Sequence, residues 1–153
     1  MGGNLITTTR LLHTLDVPQI LDLEFDCFVK PHDLYEISVL RKSQHIKMYV
    51  VEFSEIVVGY IFLHFQSDAI EIIRLAVKGN YRRQGIGTSL IKCAKQRLEP
   101  FECKNLEIVV PERHLGSQLF LRENAFKAAR IIRSFDDAGE SAYLFRYQME
   151  ERH

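Results

Sequence analysis

The residues with the clearest potential for chemistry form one short turn, Arg82-Arg83-Gln84-Gly85-Ile86-Gly87, directly before a segment with helical spacing. Between positions 78 and 98 the sequence has six Lys or Arg residues and no Asp or Glu. The first N–H groups of a helix lack main-chain partners, and the helix dipole places partial positive charge beside them. Glycines at 85 and 87 remove the Cβ atoms that would keep an anion away from those groups. The turn therefore predicts a phosphate site, and the plainer alternative is a solvated basic helix face.

Two common nucleotide-binding patterns do not fit this turn. A P-loop requires a lysine after its last glycine, and no lysine follows Gly87. The dinucleotide fingerprint requires a third glycine, and Leu90 stands in its place. What remains is an Arg or Gln, two residues, Gly, one residue, and Gly or Ala. This pattern follows a strand-like segment that ends in Leu75-Ala76-Val77.

The elements that position the turn follow from the spacing of apolar residues. This spacing predicts strands at 4–10, 45–53, 56–65, 69–77, 106–110, 126–135 and 141–149. It also predicts helices from Asp16 to near Pro31 and over 32–41, 86–98 and 115–124. The segment 69–77 is apolar on both faces, so we expect it in the middle of the sheet. The order of elements predicts a mixed sheet with helices on both faces, in a single domain over residues 1–153.

Composition and charge limit the classes of function. The 153 residues are 46% apolar and 26% charged, which is typical of a folded soluble protein. Because the formal net charge is zero, no global field favours binding to nucleic acid or to an anionic membrane. The basic cluster also lacks the interleaved aromatic residues of a nucleic-acid surface. No apolar run is long enough to span a membrane, and we expect a cytoplasmic protein.

The cysteines and histidines give no metal-binding pattern. Cys27, Cys93 and Cys103 are odd in number and far apart, which argues against a disulfide framework or a zinc ribbon. The six histidines have no clustered spacing. We therefore expect no metal site.

The turn, the strand before it and the order of elements resemble the GNAT superfamily of acetyl-CoA-dependent N-acetyltransferases over nearly the whole chain. The resemblance implies the GNAT fold, an α/β fold (α+β in some schemes) with one mixed, mostly antiparallel sheet of about seven strands. In that superfamily the pyrophosphate of coenzyme A binds main-chain N–H groups of this turn, and the pantetheine arm pairs with the preceding strand. The resemblance thus implies that acetyl-CoA is bound by Leu75, Ala76, Val77, Arg82, Arg83, Gln84, Gly85, Ile86, Gly87 and Thr88.

Within the superfamily, the early segment LDLEFDCF with Pro31 after it, and the final segment SAYLFRYQM, are similar to ribosomal-protein alanine N-acetyltransferases. That likeness implies a protein or peptide N-terminal α-amine as the acceptor. Two alternatives remain. One is a small-molecule amine, with Glu24 and residues 31–35 beside the acceptor, and the other is a non-catalytic acyl-CoA-binding module. The protein is expected to be a monomer or a homodimer.

Acetyl transfer to an amine requires a base, because an ammonium group cannot attack a thioester. Alternation along the strand places Glu71, Ile73 and Leu75 on one face. A carboxylate in this apolar row is expected to be partly desolvated, which suits a general base. Glu71 also resembles the catalytic glutamate that opens the same strand in histone acetyltransferases of the superfamily. The alternatives for Glu71 are a solvated strand end and a partner for Arg74.

Three positions depart from the alanine-acetylating enzymes. Val109 stands where they have a glutamate, Leu121 where they have a tyrosine that donates a proton to the thiolate, and His114 where an asparagine contacts the pantetheine arm. His114 is therefore a candidate for cofactor contact or proton donation, and the alternative is a surface or capping histidine. Tyr143 is a second candidate donor, and the alternative is a half-buried tyrosine of the sheet.

Overall fold

The structure, a computed structural model, describes residues 5–150, and its elements follow the predicted order. The strands are β1 (Thr8–Leu11), β2 (Ile46–Phe53), β3 (Ile56–Phe65), β4 (Ala69–Val77), β5 (Asn105–Pro111), β6 (Lys127–Ile132) and β7 (Ala142–Gln148). The helices are α1 (Val17–Cys27), α2 (Leu34–Lys42), α3 (Ile86–Lys95) and α4 (Leu115–Glu123). Short 3-10 turns at Thr14–Asp16 and Gly79–Tyr81 precede α1 and follow β4.

One sheet contains the seven strands in the order β1-β2-β3-β4-β5-β7-β6. The pair β4–β5 is parallel, whereas β1–β2, β2–β3, β5–β7 and β6–β7 are antiparallel. The prediction of a mixed, mostly antiparallel sheet of seven strands is therefore confirmed, with β4 in the middle as expected.

The residues form two compact units. Of the described residues, the first unit contains those up to Phe65 together with Ile73–Ala94, and the second contains Gln66–Ile72 together with those from Lys95 onward. Strand β4 contributes its first residues to the second unit and its remainder to the first. The single domain over 1–153 stays a prediction.

In the first unit, helices cover both faces of the sheet. On one face α1 and α2 pack on β2 and β3 in a buried cluster that includes Ile20, Leu23, Ile37, Met48, Val50, Tyr60 and Phe62. On the other face α3 lies so close to Gly59 that an added Cβ would be 2.8 Å from Cγ2 of Ile86. Since successive strand residues point to opposite faces, Gly59 and Tyr60 mark these two sides.

The β2–β3 hairpin forms without the glycine that its turn favours. Ser54 and Glu55 both have a left-handed φ, 49° and 67°, as a two-residue hairpin turn requires. The ladder behind this turn extends from Phe53↔Ile56 to Ile46↔His64. The predicted hairpin is confirmed, and the long ladder offsets the unfavourable turn residues.

The start of α1 is fixed by an ion pair rather than by a side-chain cap. Asp16 precedes the helix, and its carboxylate binds Arg10 at 2.7 Å and 2.9 Å and accepts the N–H of His13 at 2.7 Å. The hydrogen bond from Arg10 lowers the pKa of Asp16 below its usual value. Pro18 lies in the first turn of the helix, as predicted.

Several predicted boundaries differ from the structure. Helix α1 ends at Cys27 and not near Pro31, and strand β6 ends at Ile132 and not at 135. Strand β1 begins at Thr8 because its partner β2 ends opposite it, with Thr8 aligned to Glu52. Residue 4, the predicted start, lies outside the described residues. Helix α2 begins at Leu34, since Asp33 accepts the N–H of Glu36 at 2.8 Å and caps the helix there. Helix α3 ends at Lys95, short of the predicted 98.

Candidate functional site

The turn between β4 and α3 has the backbone of an anion site. Arg83 and Gly85 adopt left-handed φ values of 62° and 83°. At the start of the helix the N–H of Ser89 donates to the carbonyl of Gly85 at 2.9 Å. Among the described residues, none of the main-chain hydrogen bonds that lie outside helices and strands is donated by an N–H group of Arg83–Thr88. Consecutive N–H groups of this kind at a helix N-terminus can bind a phosphate.

The two arginines of the turn differ in their contacts. Arg82 folds back on β4, where its Nε donates to the carbonyl of Val77 at 3.2 Å. Its Nη2 also lies 3.8 Å from the sulfur of Cys27. Arg83 is exposed, and Gln84 donates to the carbonyl of Asn80 at 3.2 Å. Both arginines are exposed, and Arg82 also ties the turn to the end of β4.

The end of β4 lies next to this turn in the chain. The parallel ladder between β4 and β5 covers Ala69–Glu71 and Asn105–Glu107, although β4 continues to Val77. Ala76 is buried and Leu75 and Val77 are half-buried. In the first unit the N–H of Lys78 donates to the carbonyl of Val58 at 2.8 Å, which fixes the end of the strand.

Of the three candidates for proton transfer, Glu71 lies on β4 in the second unit. Its side chain is half-buried, and its Oε2 accepts a hydrogen bond from Nε2 of Gln66 at 3.2 Å. Arg74 pairs with Glu24, so the structure does not favour the alternative in which Glu71 is a partner for Arg74.

The other two candidates also belong to the second unit. Tyr143 on β7 is half-buried, and its ring meets that of Phe145 edge-on at 6.3 Å. His114 is exposed and precedes α4 at the cap position, but its side chain makes no capping hydrogen bond. Leu121, which stands in the position of a donor tyrosine, is buried.

A buried carboxylate that the sequence analysis placed only near the acceptor side proves to be the centre of a network. Glu24 on α1 has no solvent exposure. Its Oε1 accepts the N–H of His32 at 2.7 Å and lies 3.3 Å from Nη2 of Arg74, and its Oε2 accepts the hydroxyl of Tyr60. The signal was present in the sequence, because Glu24 shares the apolar stripe of α1 with Ile20 and Leu23.

The same network fixes residues 28–33, which join α1 to α2 and are called the connecting segment below. Arg74 donates to the carbonyl of Lys30 at 2.8 Å and to Nδ1 of His32 at 3.4 Å. Its guanidinium also lies over the ring of Phe28, 4.0 Å from the centroid. One side chain of β4 therefore contacts the connecting segment at three of its residues.

Burial and the neighbouring carboxylate act together on Tyr60. Desolvation raises the pKa of Tyr60 far above its usual value, and the hydrogen bond to Glu24 raises it further. The phenol is therefore a permanent donor at neutral pH.

The described residues contain neither a metal-binding cluster nor a helix that could span a membrane. No group of three or more His, Cys, Asp or Glu side chains there is arranged to hold a metal ion. Of the helices at 17–27, 34–42, 86–95 and 115–123, none combines the length and the hydropathy of a membrane span.

Comparison with known families matches this chain to one model. The model is described as the acetyltransferase (GNAT) family, and it matches residues 17–126. Among curated proteins, an N-alpha-acetyltransferase of Sulfurisphaera tokodaii is 26% identical over 144 residues, which cover 84% of this chain and 85% of that protein.

Solved structures with the same fold include two acetyltransferases. The ribosomal-protein-S18-alanine N-acetyltransferase of Escherichia coli superposes with a TM-score of 0.83 at 18% identity, over 97% of each chain. Arabidopsis thaliana NAA60 in complex with acetyl-CoA gives a TM-score of 0.83 at 16% identity, over 94% of this chain and 100% of that chain. At these identities the likeness establishes the shared fold.

Proposed function

The chain belongs to the GNAT family of acetyltransferases, and on that basis we propose that it transfers acetyl from acetyl-CoA to the α-amine of a protein N-terminus. The observation that carries this proposal is the turn before α3, where Arg83 and Gly85 have left-handed φ values and the N–H groups of Arg83–Thr88 donate none of the main-chain hydrogen bonds found outside helices and strands of the described residues. A diphosphate supplies several anionic oxygens at the spacing of such groups.

Acetyl-CoA is the co-substrate in this proposal. Its pyrophosphate binds the N–H groups of Arg83–Thr88, and exposed Arg83 adds positive charge. Its pantetheine arm pairs with the main chain of Leu75–Val77. This part of β4 lies beyond Glu71, where the ladder with β5 ends. The fold shared with NAA60, whose structure is a complex with acetyl-CoA, supports this choice of co-substrate.

The choice of a protein N-terminus as acceptor has two supports. The curated relative is named an N-alpha-acetyltransferase, and a protein of the same fold is named for the N-terminal alanine acetylation of ribosomal protein S18. The connecting segment, which contains residues 31–33 of the acceptor side expected from the sequence, is fixed against β4 by Arg74. Glu24, expected on the same side, is fully buried and supports this segment from within the protein. A cytoplasmic location and a monomeric or homodimeric state are part of the same proposal.

The reaction needs few groups from the protein. The neutral amine attacks the thioester carbonyl, a C–N bond forms, the C–S bond breaks, and the proton of the amine passes to a base. In the proposal Glu71 is this base, directly or through a water, and main-chain N–H groups near Leu75–Val77 polarise the carbonyl. Tyr143 or His114 is the candidate donor to the departing thiolate. Because a thiol has a pKa of about 8.5, the reaction does not depend on either donor.

The test is a peptide assay with the purified protein. Acetyl-CoA is mixed with short peptides that differ in their first residue, and thiol release is measured together with the gain of one acetyl group on the peptide. Matched peptides with a blocked N-terminus and an internal lysine serve as controls, beside a polyamine and an amino sugar. Acetylation of the free α-amine alone supports the proposal. Preference for the small amines, or coenzyme A binding without any turnover, contradicts it.

The role of Glu71 has its own test. We expect Glu71→Gln to lower kcat/KM by about 100- to 10,000-fold, the range for a lost general base, and to change its pH profile. Gln66→Ala removes the Nε2 donor to the Glu71 carboxylate but keeps the carboxylate itself, and it serves as the control, with a smaller effect. An unchanged rate and pH profile in Glu71→Gln would remove Glu71 from the mechanism and leave the family assignment intact.

A further inference from the structure

We propose that Arg74 is a positioning residue for the acceptor, which holds the connecting segment at a fixed distance from β4 and thereby sets the KM for the acceptor. This inference rests on the proposed function, since it assumes that the connecting segment borders the acceptor amine.

The contacts of Arg74 are concentrated on this one segment. The guanidinium stacks on Phe28, donates to the carbonyl of Lys30 and donates to Nδ1 of His32. These residues lie at both ends and in the middle of the segment. No lysine could make the three contacts at once, because only the planar guanidinium stacks on a ring while its edge donates in two directions.

The buried carboxylate of Glu24 fixes the guanidinium in turn. Glu24 lies 3.3 Å from Nη2 of Arg74, and the same oxygen accepts the main-chain N–H of His32. The carboxylate has no exposure and the Arg74 side chain only 19%, so solvent screens the pair little. Helix α1, the connecting segment and β4 thus meet at one pair of charges.

The position of Arg74 in β4 links this pair to the proposed chemistry. Arg74 immediately precedes Leu75, whose main chain is proposed to lie beside the thioester. Side chains alternate along a strand, so the main chain of β4 can serve the cofactor while Arg74 reaches the connecting segment. A connecting segment that is already held in place loses little conformational freedom when the acceptor binds, so its fixed position lowers the acceptor KM without changing the chemical step.

The side chain of His32 belongs to the same cluster. Its Nδ1 lies 3.2 Å from Oε1 of Glu24 and 3.4 Å from Nε of Arg74. Because the main-chain N–H of His32 also donates to Oε1 of Glu24, both the ring and the backbone of this residue are held by the pair of charges.

The experiment compares Arg74→Lys with Arg41→Lys on α2, where the native arginine only donates to the hydroxyl of Thr14. Steady-state kinetics with the best peptide, calorimetry with coenzyme A and amide exchange over residues 28–33 are measured on each protein. For Arg74→Lys we expect the acceptor KM to rise about tenfold, with kcat and coenzyme A affinity within about twofold. Exchange over 28–33 should become faster, whereas Arg41→Lys should match the wild type.

A second variant protects the test against misfolding. Glu24→Gln combined with Arg74→Gln neutralises both charges and leaves no single charge buried, so the fold is expected to survive where one change alone would break it. The double variant should show the same rise in acceptor KM.

The outcomes separate this inference from the proposed function. Faster exchange over 28–33 with an unchanged acceptor KM overturns the positioning role while the transferase activity stands. A loss confined to kcat, or to coenzyme A affinity, also overturns it. If the wild type acetylates no amine, the proposed function fails first and the positioning role falls with it.

Discussion

The phenol of Tyr60 on β3 donates a hydrogen bond to Oε2 of Glu24 on α1, and both side chains are fully buried. Glu24 stands in the apolar stripe of its helix, so the carboxylate is surrounded by the core that α1 forms with β2 and β3. A buried carboxylate is tolerated only where its oxygens are satisfied by donors or cations. Tyr60 satisfies one oxygen, and His32 and Arg74 satisfy the other.

Tyr60→Phe tests the contribution of this bond to stability. The substitution keeps the ring and removes the hydroxyl that donates to Oε2 of Glu24. We expect the free energy of unfolding at neutral pH to fall by about 1–3 kcal/mol, the usual cost of leaving a buried acceptor unsatisfied. Urea unfolding measures it. Tyr35→Phe is the control, since Tyr35 is 76% exposed and its loss of a hydroxyl should be almost neutral. Equal effects in the two variants would contradict the burial argument.

The raised pKa of Tyr60 affects how the free energy of unfolding depends on pH above about pH 10. Burial and Glu24 raise the pKa of Tyr60 in the folded state, whereas in the unfolded chain it titrates at its usual value of 10.0. Above pH 10 the unfolded state therefore binds fewer protons than the folded state, and stability falls as the pH rises.

Other groups titrate in that range as well, so the informative quantity is the stability difference between the wild type and Tyr60→Phe. We expect this difference to be constant from about pH 7 to pH 9 and to shrink above pH 10. Urea unfolding at several pH values measures it. A difference that stays constant through pH 11 would show that Tyr60 ionises as easily in the folded protein as in the unfolded chain.

The order of elements could be predicted because apolar residues change their spacing at each boundary. Two of the boundaries that failed involve partners distant in sequence, although the cap that Asp33 forms with Glu36 at the start of α2 is local. Strand β1 starts where β2 ends opposite it, and the N–H of His32, predicted to open α2, is taken by Glu24. Neither partner is visible in the local sequence.

The sequence predicts one part of the candidate site and not the other. The turn at Arg82–Thr88 is contiguous, and its glycines and charges are read directly from the sequence. The network around Glu24 draws one residue each from α1, β3, β4 and the connecting segment, so only the fold brings it together. The roles of Glu71, His114 and Tyr143 remain predictions, because they depend on where the substrates bind.

Gly59→Ala tests the close contact between β3 and the start of α3. A Cβ at Gly59 would lie 2.8 Å from Cγ2 of Ile86 and 3.0 Å from the carbonyl of Ala76. The carbonyl belongs to β4, so the added methyl must push α3 away from the strand. We expect a loss of stability of about 1–3 kcal/mol and weaker binding of coenzyme A, because Ile86 begins the helix of the proposed phosphate turn.

The matched control for Gly59 is Gly116→Ala in α4. A Cβ there meets nothing within 4 Å, and alanine is the better helix former, so stability should rise by about 0.5–1 kcal/mol. Thermal unfolding and calorimetry with coenzyme A measure both variants. If Gly59→Ala binds coenzyme A as tightly as the wild type, the spacing between β3 and α3 does not matter to the site.

Gly85→Ala tests whether the backbone of the turn, rather than its charge, binds the cofactor. Gly85 has a φ of +83°, so alanine is strained there although a Cβ would have open space. Relief of that strain redirects the N–H groups of the turn, and we expect the affinity for coenzyme A to fall about tenfold or more.

Two comparisons isolate the cause of that loss. Gly139→Ala introduces the same kind of strain, at a φ of +79° with open space, in the connection between β6 and β7, and should leave coenzyme A binding unchanged. Pantetheine lacks the pyrophosphate, so its weaker binding should be the same in wild type and Gly85→Ala. Calorimetry with both ligands separates the possibilities. Equal losses for coenzyme A and pantetheine would place the effect on β4, and no loss for either would mean that the N–H groups of Arg83–Thr88 do not hold the diphosphate.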